Sequence, residues 1–159
     1  MQTIVTQLID CHIQLKTAAD RKTAALAAAD VKAVERETRE ELRLIGQVQL
    51  LERARLAEIE RTTVGLQAGG TGWTFRKWIE RIVPECERAE YHELRSRLGR
   101  IIEELKAVNQ LNQQLLVQAL RWTNFNLNML QPQRVASLTY GQNGKKQGSA
   151  FSGRIDSKA

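Results

Sequence analysis

Proline and cysteine occur only twice each in these 159 residues, histidine twice, and aromatics number three Trp, three Phe and two Tyr. Such scarcity of proline and aromatics excludes a β-sandwich or barrel, which needs a turn about every 8–12 residues. No apolar stretch approaches the ~18 residues a membrane helix requires. The opening Met1–Asp10 has neither the basic flank nor the apolar core of a secretion signal, so the chain is expected to be cytoplasmic, with no membrane insertion. Cys11 and Cys86 form no metal-ligand spacing and no disulfide framework, and are expected to pack as small apolar side chains. His12 and His92 fall on separate helices without an activated neighbour; Cys11, beside His12, cannot share its helix face. Both histidines are expected at the surface or its boundary. Nothing here suggests an enzyme, a metal site or a cofactor.

Charge of +6 invites a nucleic-acid reading, and its distribution answers it. Residues 1–66 balance ten basic against ten acidic side chains, 67–131 carry nine against seven, and 132–159 five against one. Most of the excess lies in the last 28 residues, not on a structured face, so nucleic acid is not the expected partner.

What the chain has in quantity is helical periodicity. Ile4, Leu8, Cys11, Leu15, Ala18 and Ala25 recur at spacings of three and four or their sum, predicting a first helix over about 2–27. Asp30 is a good N-cap for a second, about 31–64, with an apolar stripe through Val31, Val34, Leu42, Ile45, Val48, Leu51, Leu56 and Ile59. Glu35, Glu37, Arg39 and Glu41 belong to its charged outer face. Four glycines within 65–72 make a flexible joint; no Gly-Lys-Ser/Thr follows, so it is not a phosphate loop. Trp73, Phe75 and Trp78 read as a plug closing one end of a bundle, with an aromatic partner patch as the other reading. A third helix is expected over about 74–130, its stretch beyond Pro84 on the order of 70 Å long. The fold expected is all-α: an antiparallel helical hairpin plus one long C-terminal helix in an elongated bundle or coiled coil. The helical domain takes residues 1–131 and a disordered tail 132–159.

Residues 107–131 differ from everything before them. They hold thirteen apolar residues, ten amides and one charge, Arg121. One apolar seam contains Val108, Leu111, Leu115, Ala119, Trp122 and Met129; another contains Leu116, Leu120 and Leu127, with Phe125 on the flank. Together they sweep roughly 200° of helix circumference, about twice one buried stripe. One seam can serve the bundle, which leaves the second for an amphipathic helix of another protein. Asn112 and Asn126 fall inside the first seam, where a buried amide can fix register. A coiled-coil scaffold, or a homodimer when unliganded, is the alternative. In the tail, Val135–Gly141 is a short apolar patch around Tyr140 that fits a docking motif or chance equally.

The run Leu105-x-x-x-Asn109-Gln110-x-Asn112-x-x-Leu115-Leu116, continuing to Leu130 and Pro132, resembles the FlgN family of flagellar export chaperones, as do Leu138-Thr-Tyr140-Gly141 and the Gly/Lys-rich end. The glycine joint and the Trp73–Trp78 cluster depart from the family pattern. The resemblance implies a non-enzymatic cytosolic protein of the type III export system. Such a protein binds the C-terminal helices of the hook–filament junction proteins FlgK and FlgL and delivers them to the export gate protein FlhA. Partner binding then falls on Leu111, Asn112, Leu115, Leu116, Ala119, Leu120, Trp122, Phe125 and Leu127, and gate docking on Tyr140.

Overall fold

The computed structural model describes residues 1–66 and 72–130. Among these the chain forms four helices and no strand: α1 (Gln2–Ala27), α2 (Val31–Thr63), α3 (Phe75–Arg81) and α4 (Glu85–Leu130). The expected third helix over 74–130 is thus two helices. Proline disfavours the helical conformation in the residue before it, here Val83, and cannot donate the N–H that would carry α3 onward. The chain therefore breaks after Arg81 and restarts at Glu85.

A tight turn reverses the chain between α1 and α2. The Asp30 N–H donates to the Ala25 carbonyl at 3.0 Å and the Ala29 N–H to that of Leu26 at 3.1 Å, a Schellman closure that satisfies the last carbonyls of α1. Asp30 then starts α2, its Oδ1 accepting from the Ala33 N–H at 3.0 Å. The closure forces Ala29 to φ 54°, a left-handed conformation that favours glycine. Ala29→Gly should therefore stabilise the protein by a net ~0.5–1 kcal/mol, relief of backbone strain outweighing the looser unfolded chain. Thermal unfolding should show a midpoint a few degrees higher; an unchanged or lower midpoint would count against the strain.

α1 is the middle helix, packed along α2 on one side and α4 on the other. That position explains its two buried stripes. Leu8, Leu15 and Ala18 belong to the expected stripe, while Val5, Ile9, His12 and Ala19 form a second one. His12 is accordingly buried rather than at the surface or its boundary, with Nδ1 2.7 Å from the Leu8 carbonyl oxygen. Cys86, expected to pack inside, is exposed, and Cys11 is half-buried.

The buried face of α2 also differs from expectation. Leu44 is its deepest apolar residue, packed with Leu15 and Ala18 of α1, Val48 of α2 and Leu105 of α4. Val31, Leu42, Ile45 and Leu56 of the expected stripe are exposed. Glu37 and Glu41 do not lie on a solvated face: they turn inward to Arg21 and Lys22 of α1. Glu37 accepts from Arg21 Nε at 2.7 Å and from Arg36 Nε at 2.9 Å. These hydrogen bonds, Arg21's first, hold its carboxyl below the ordinary 4.5 against the opposing effect of burial. A lowered carboxylate stabilises the fold above its unfolded value and ceases to as pH falls through its folded one. Glu37→Gln should thus lower the unfolding midpoint at pH 7, with the difference from wild type shrinking below about pH 4. A difference independent of pH would rule out the ion pairs as its cause.

At the opposite end from the hairpin turn, the aromatic cluster forms a plug. Trp78 is 5% exposed and packs with Ile59 of α2, Ile79, Val83 and Tyr91 of α4, with Met1 and Phe75 at the edge. Phe75 stacks on Trp78 at 5.9 Å, and Tyr91 meets Trp78 edge-on at 5.4 Å. Arg55 lies over the ring of Phe75, 5.4 Å from its centroid. Thr74 caps α3, its Oγ1 accepting from the Lys77 N–H at 3.2 Å.

Candidate partner-binding surface

α4 presents one seam to α1. Tyr91, Leu94, Leu98, Ile101, Leu105, Val108, Asn112 and Leu115 follow one another at alternating steps of three and four, the spacing of coiled-coil core positions, and all are buried or half-buried. Two sets of hydrogen bonds fix direction and register. Gln2 pairs with Glu90 near the start of both helices. Near the end of α1, Asn112 is 3% exposed; its Nδ2 donates to the Ala19 carbonyl at 2.9 Å, and its Oδ1 accepts from Thr23 Oγ1 at 2.7 Å. α1 and α4 therefore run parallel.

This register decides where α4 stops being covered. Ala27, one turn past Thr23, ends α1 about level with Leu116. α4 continues to Leu130, so roughly four turns, ~20 Å, project beyond the hairpin. A free peptide this short would scarcely be helical, because nucleation is costly; here the clamped half of α4 has already provided the nucleus.

The projecting turns carry large apolar side chains in the open. Leu116 is 47% exposed, Leu120 57% and Trp122 67%, and Val117, Phe125, Leu127, Met129 and Leu130 are exposed as well. Trp122 and Phe125 stack at 6.1 Å, and with Gln118 and Arg121 they line a shallow groove. Gln110, Gln113, Gln114, Val117, Gln118 and Arg121 line another. Arg121 is the one charge over residues 116–130. Apart from Arg121, burying this surface would desolvate amides rather than ions, a much smaller cost.

Of the expected contact positions, Leu116, Ala119, Leu120, Trp122, Phe125 and Leu127 are exposed together on the overhang. Leu111 is exposed beside α1 and Leu115 half-buried at its end. Asn112 stands apart from them: it is enclosed by α1, with both ends of its amide hydrogen-bonded within the chain. The surplus surface also has another origin than expected. It is not one seam left over along α4, but both seams left over once α1 ends. Val117 was not singled out from the sequence, although it lies in the same apolar run. Tyr140 lies outside the described residues.

Among the described residues no group of His, Cys, Asp and Glu could hold a metal ion, and no helix is long and apolar enough to cross a membrane. A clamped helical hairpin thus projects a long helix whose apolar face carries a single charge, Arg121. The family described as FlgN protein matches residues 1–148, and the chain belongs to it. That family is one of flagellar export chaperones. No curated protein and no solved structure matches the chain.

Proposed function

We propose that the overhang of α4 receives the C-terminal helical region of hook–filament junction proteins, FlgK- and FlgL-like, and delivers them to a FlhA-like export gate. The observation that carries this reading is the row of exposed apolar residues from Leu116 to Leu130, on a helix held rigid at its other half. A subunit built to assemble end to end has a sticky helix. Covering that helix with another keeps the subunit from assembling early, and needs no chemistry. Covering the exposed half of each leucine contributes about 0.7–1.5 kcal/mol, so several such contacts together give a stable yet reversible complex.

Co-expression with a candidate junction protein, intact or lacking its last ~40 residues, tests the reading, since helix-in-groove recognition depends on that end alone. The intact subunit should co-purify and the shortened one should not; equal recovery of both would sink the assignment. Gate docking is assigned to Tyr140 on the family resemblance. Tyr140→Ala should leave subunit binding intact and weaken calorimetric binding of the loaded chaperone to the gate's cytosolic domain.

A further inference from the structure

The seam of α4 repeats its own chemistry beyond the end of α1, and the repeat specifies what a partner helix carries. Ala119, Trp122, Asn126 and Met129 continue the three-and-four spacing without a break. Asn126 is two heptads after Asn112 and occupies the same core position. Asn112 shows what this position demands. Its amide spans the Ala19 carbonyl and the Thr23 hydroxyl, which lie one turn apart on a parallel helix, with a small residue where the backbones approach. Thr23 Oγ1 is also 3.0 Å from the Ala19 carbonyl oxygen, so one hydroxyl completes the cradle. Asn126 is half-buried, and no hydrogen bond reaches its amide among the described residues. A partner helix continuing the lane of α1 would enclose it, and an enclosed amide without partners is costly.

We propose that Asn126 selects a partner helix that runs parallel to α4, end to end with α1, and carries opposite Asn126 a small residue followed four positions later by threonine or serine. This rests on the helix-binding role proposed above and adds its register, direction and sequence. Direction follows from the cradle: a reversed helix puts its hydroxyl on the wrong side of its carbonyl. A second copy of this chain is the natural competitor, since Ala119 and Thr123 form the same pair, with Thr123 Oγ1 donating to the Ala119 carbonyl at 2.9 Å. The lane is free only beyond α1, however, and a parallel copy of α4 would drive its own earlier turns into α1. The occupant is therefore a helix of another protein whose N-terminal end abuts the hairpin turn.

The probes are two synthetic helical peptides of about 21 residues with leucine at the core positions, identical except for Ala-x-x-x-Thr or Ala-x-x-x-Val at the height of Asn126. Calorimetry on the full chain should show the threonine peptide bound about tenfold more tightly, with Asn126→Leu inverting that order. A nitroxide on the peptide's N-terminus should broaden amide signals near Leu116. Equal affinities in wild type, an order unmoved by Asn126→Leu, or broadening near Leu130 would each overturn the register proposal while leaving helix binding standing. Should neither peptide nor a junction-protein fragment bind, the helix-binding role itself fails. A stable dimer unresponsive to peptide and broken by Asn126→Leu would assign the lane to a second copy.

Discussion

A chain with Leu116→Ser and Leu120→Ser should lose affinity for its helical partner by about one to two decades while keeping its fold. Both side chains are about half exposed in the free protein, so replacing them removes little that α1 or α2 uses. In a complex the exposed half of each would be covered, and losing two such contacts forfeits roughly 1.5–3 kcal/mol. Circular dichroism and the unfolding midpoint should stay close to wild type, since serine costs an exposed helix only about half a kcal/mol. Titration of a junction-protein C-terminal fragment gives the affinity. Wild-type binding by the double variant would show that the overhang is not the contact surface, whatever the rest of the chain does.

The second large effect lies at the other end of the molecule. Trp78→Ala should destabilise the protein by about 3–5 kcal/mol, a large part of the 5–15 kcal/mol typical of a domain. Trp78 fills the space between the end of α2 and the start of α4, touching Ile59, Tyr91 and Phe75, and its Nε1 donates to Thr62 Oγ1 at 2.8 Å. Few residues share the burial at this end, so the hole cannot collapse without moving α3. Denaturant unfolding should show the loss in the midpoint, and Trp78→Phe should recover part of it. A loss under about 1 kcal/mol would mean that the cluster is not the plug described. Roughly 40 Å of α4 separates Tyr91 from the overhang, so partner binding should persist in the cold while Trp78→Ala remains folded.

These two ends were legible in the sequence to different degrees. Asp30 and the first apolar stripe located α1, the turn and the start of α2, because capping and periodicity are local properties. The aromatic cluster read as a plug for a similar reason, as three large rings in six residues have to go somewhere. The side of α2 that faces inward was not legible. Its apolar residues spread over two neighbouring stripes, and Glu37 belongs inside only because Arg21 stands opposite it on another helix. The second stripe of α1 is not legible either, since the α4 residues it meets are more than eighty positions further along the chain. The surplus apolar surface was visible, but its cause was not. Where α1 ends along α4 is set by Asn112 meeting Ala19 and Thr23, a register that no single segment encodes.

A rod clamped along one half and free along the other can be lengthened like a ruler. Seven residues inserted near Thr123 would extend its reach by about 10 Å and return every later side chain to nearly its old bearing. One inserted residue would swing everything beyond it by about 100°, scrambling recognition and sparing the hairpin. Changes of reach among such proteins should therefore come in sevens.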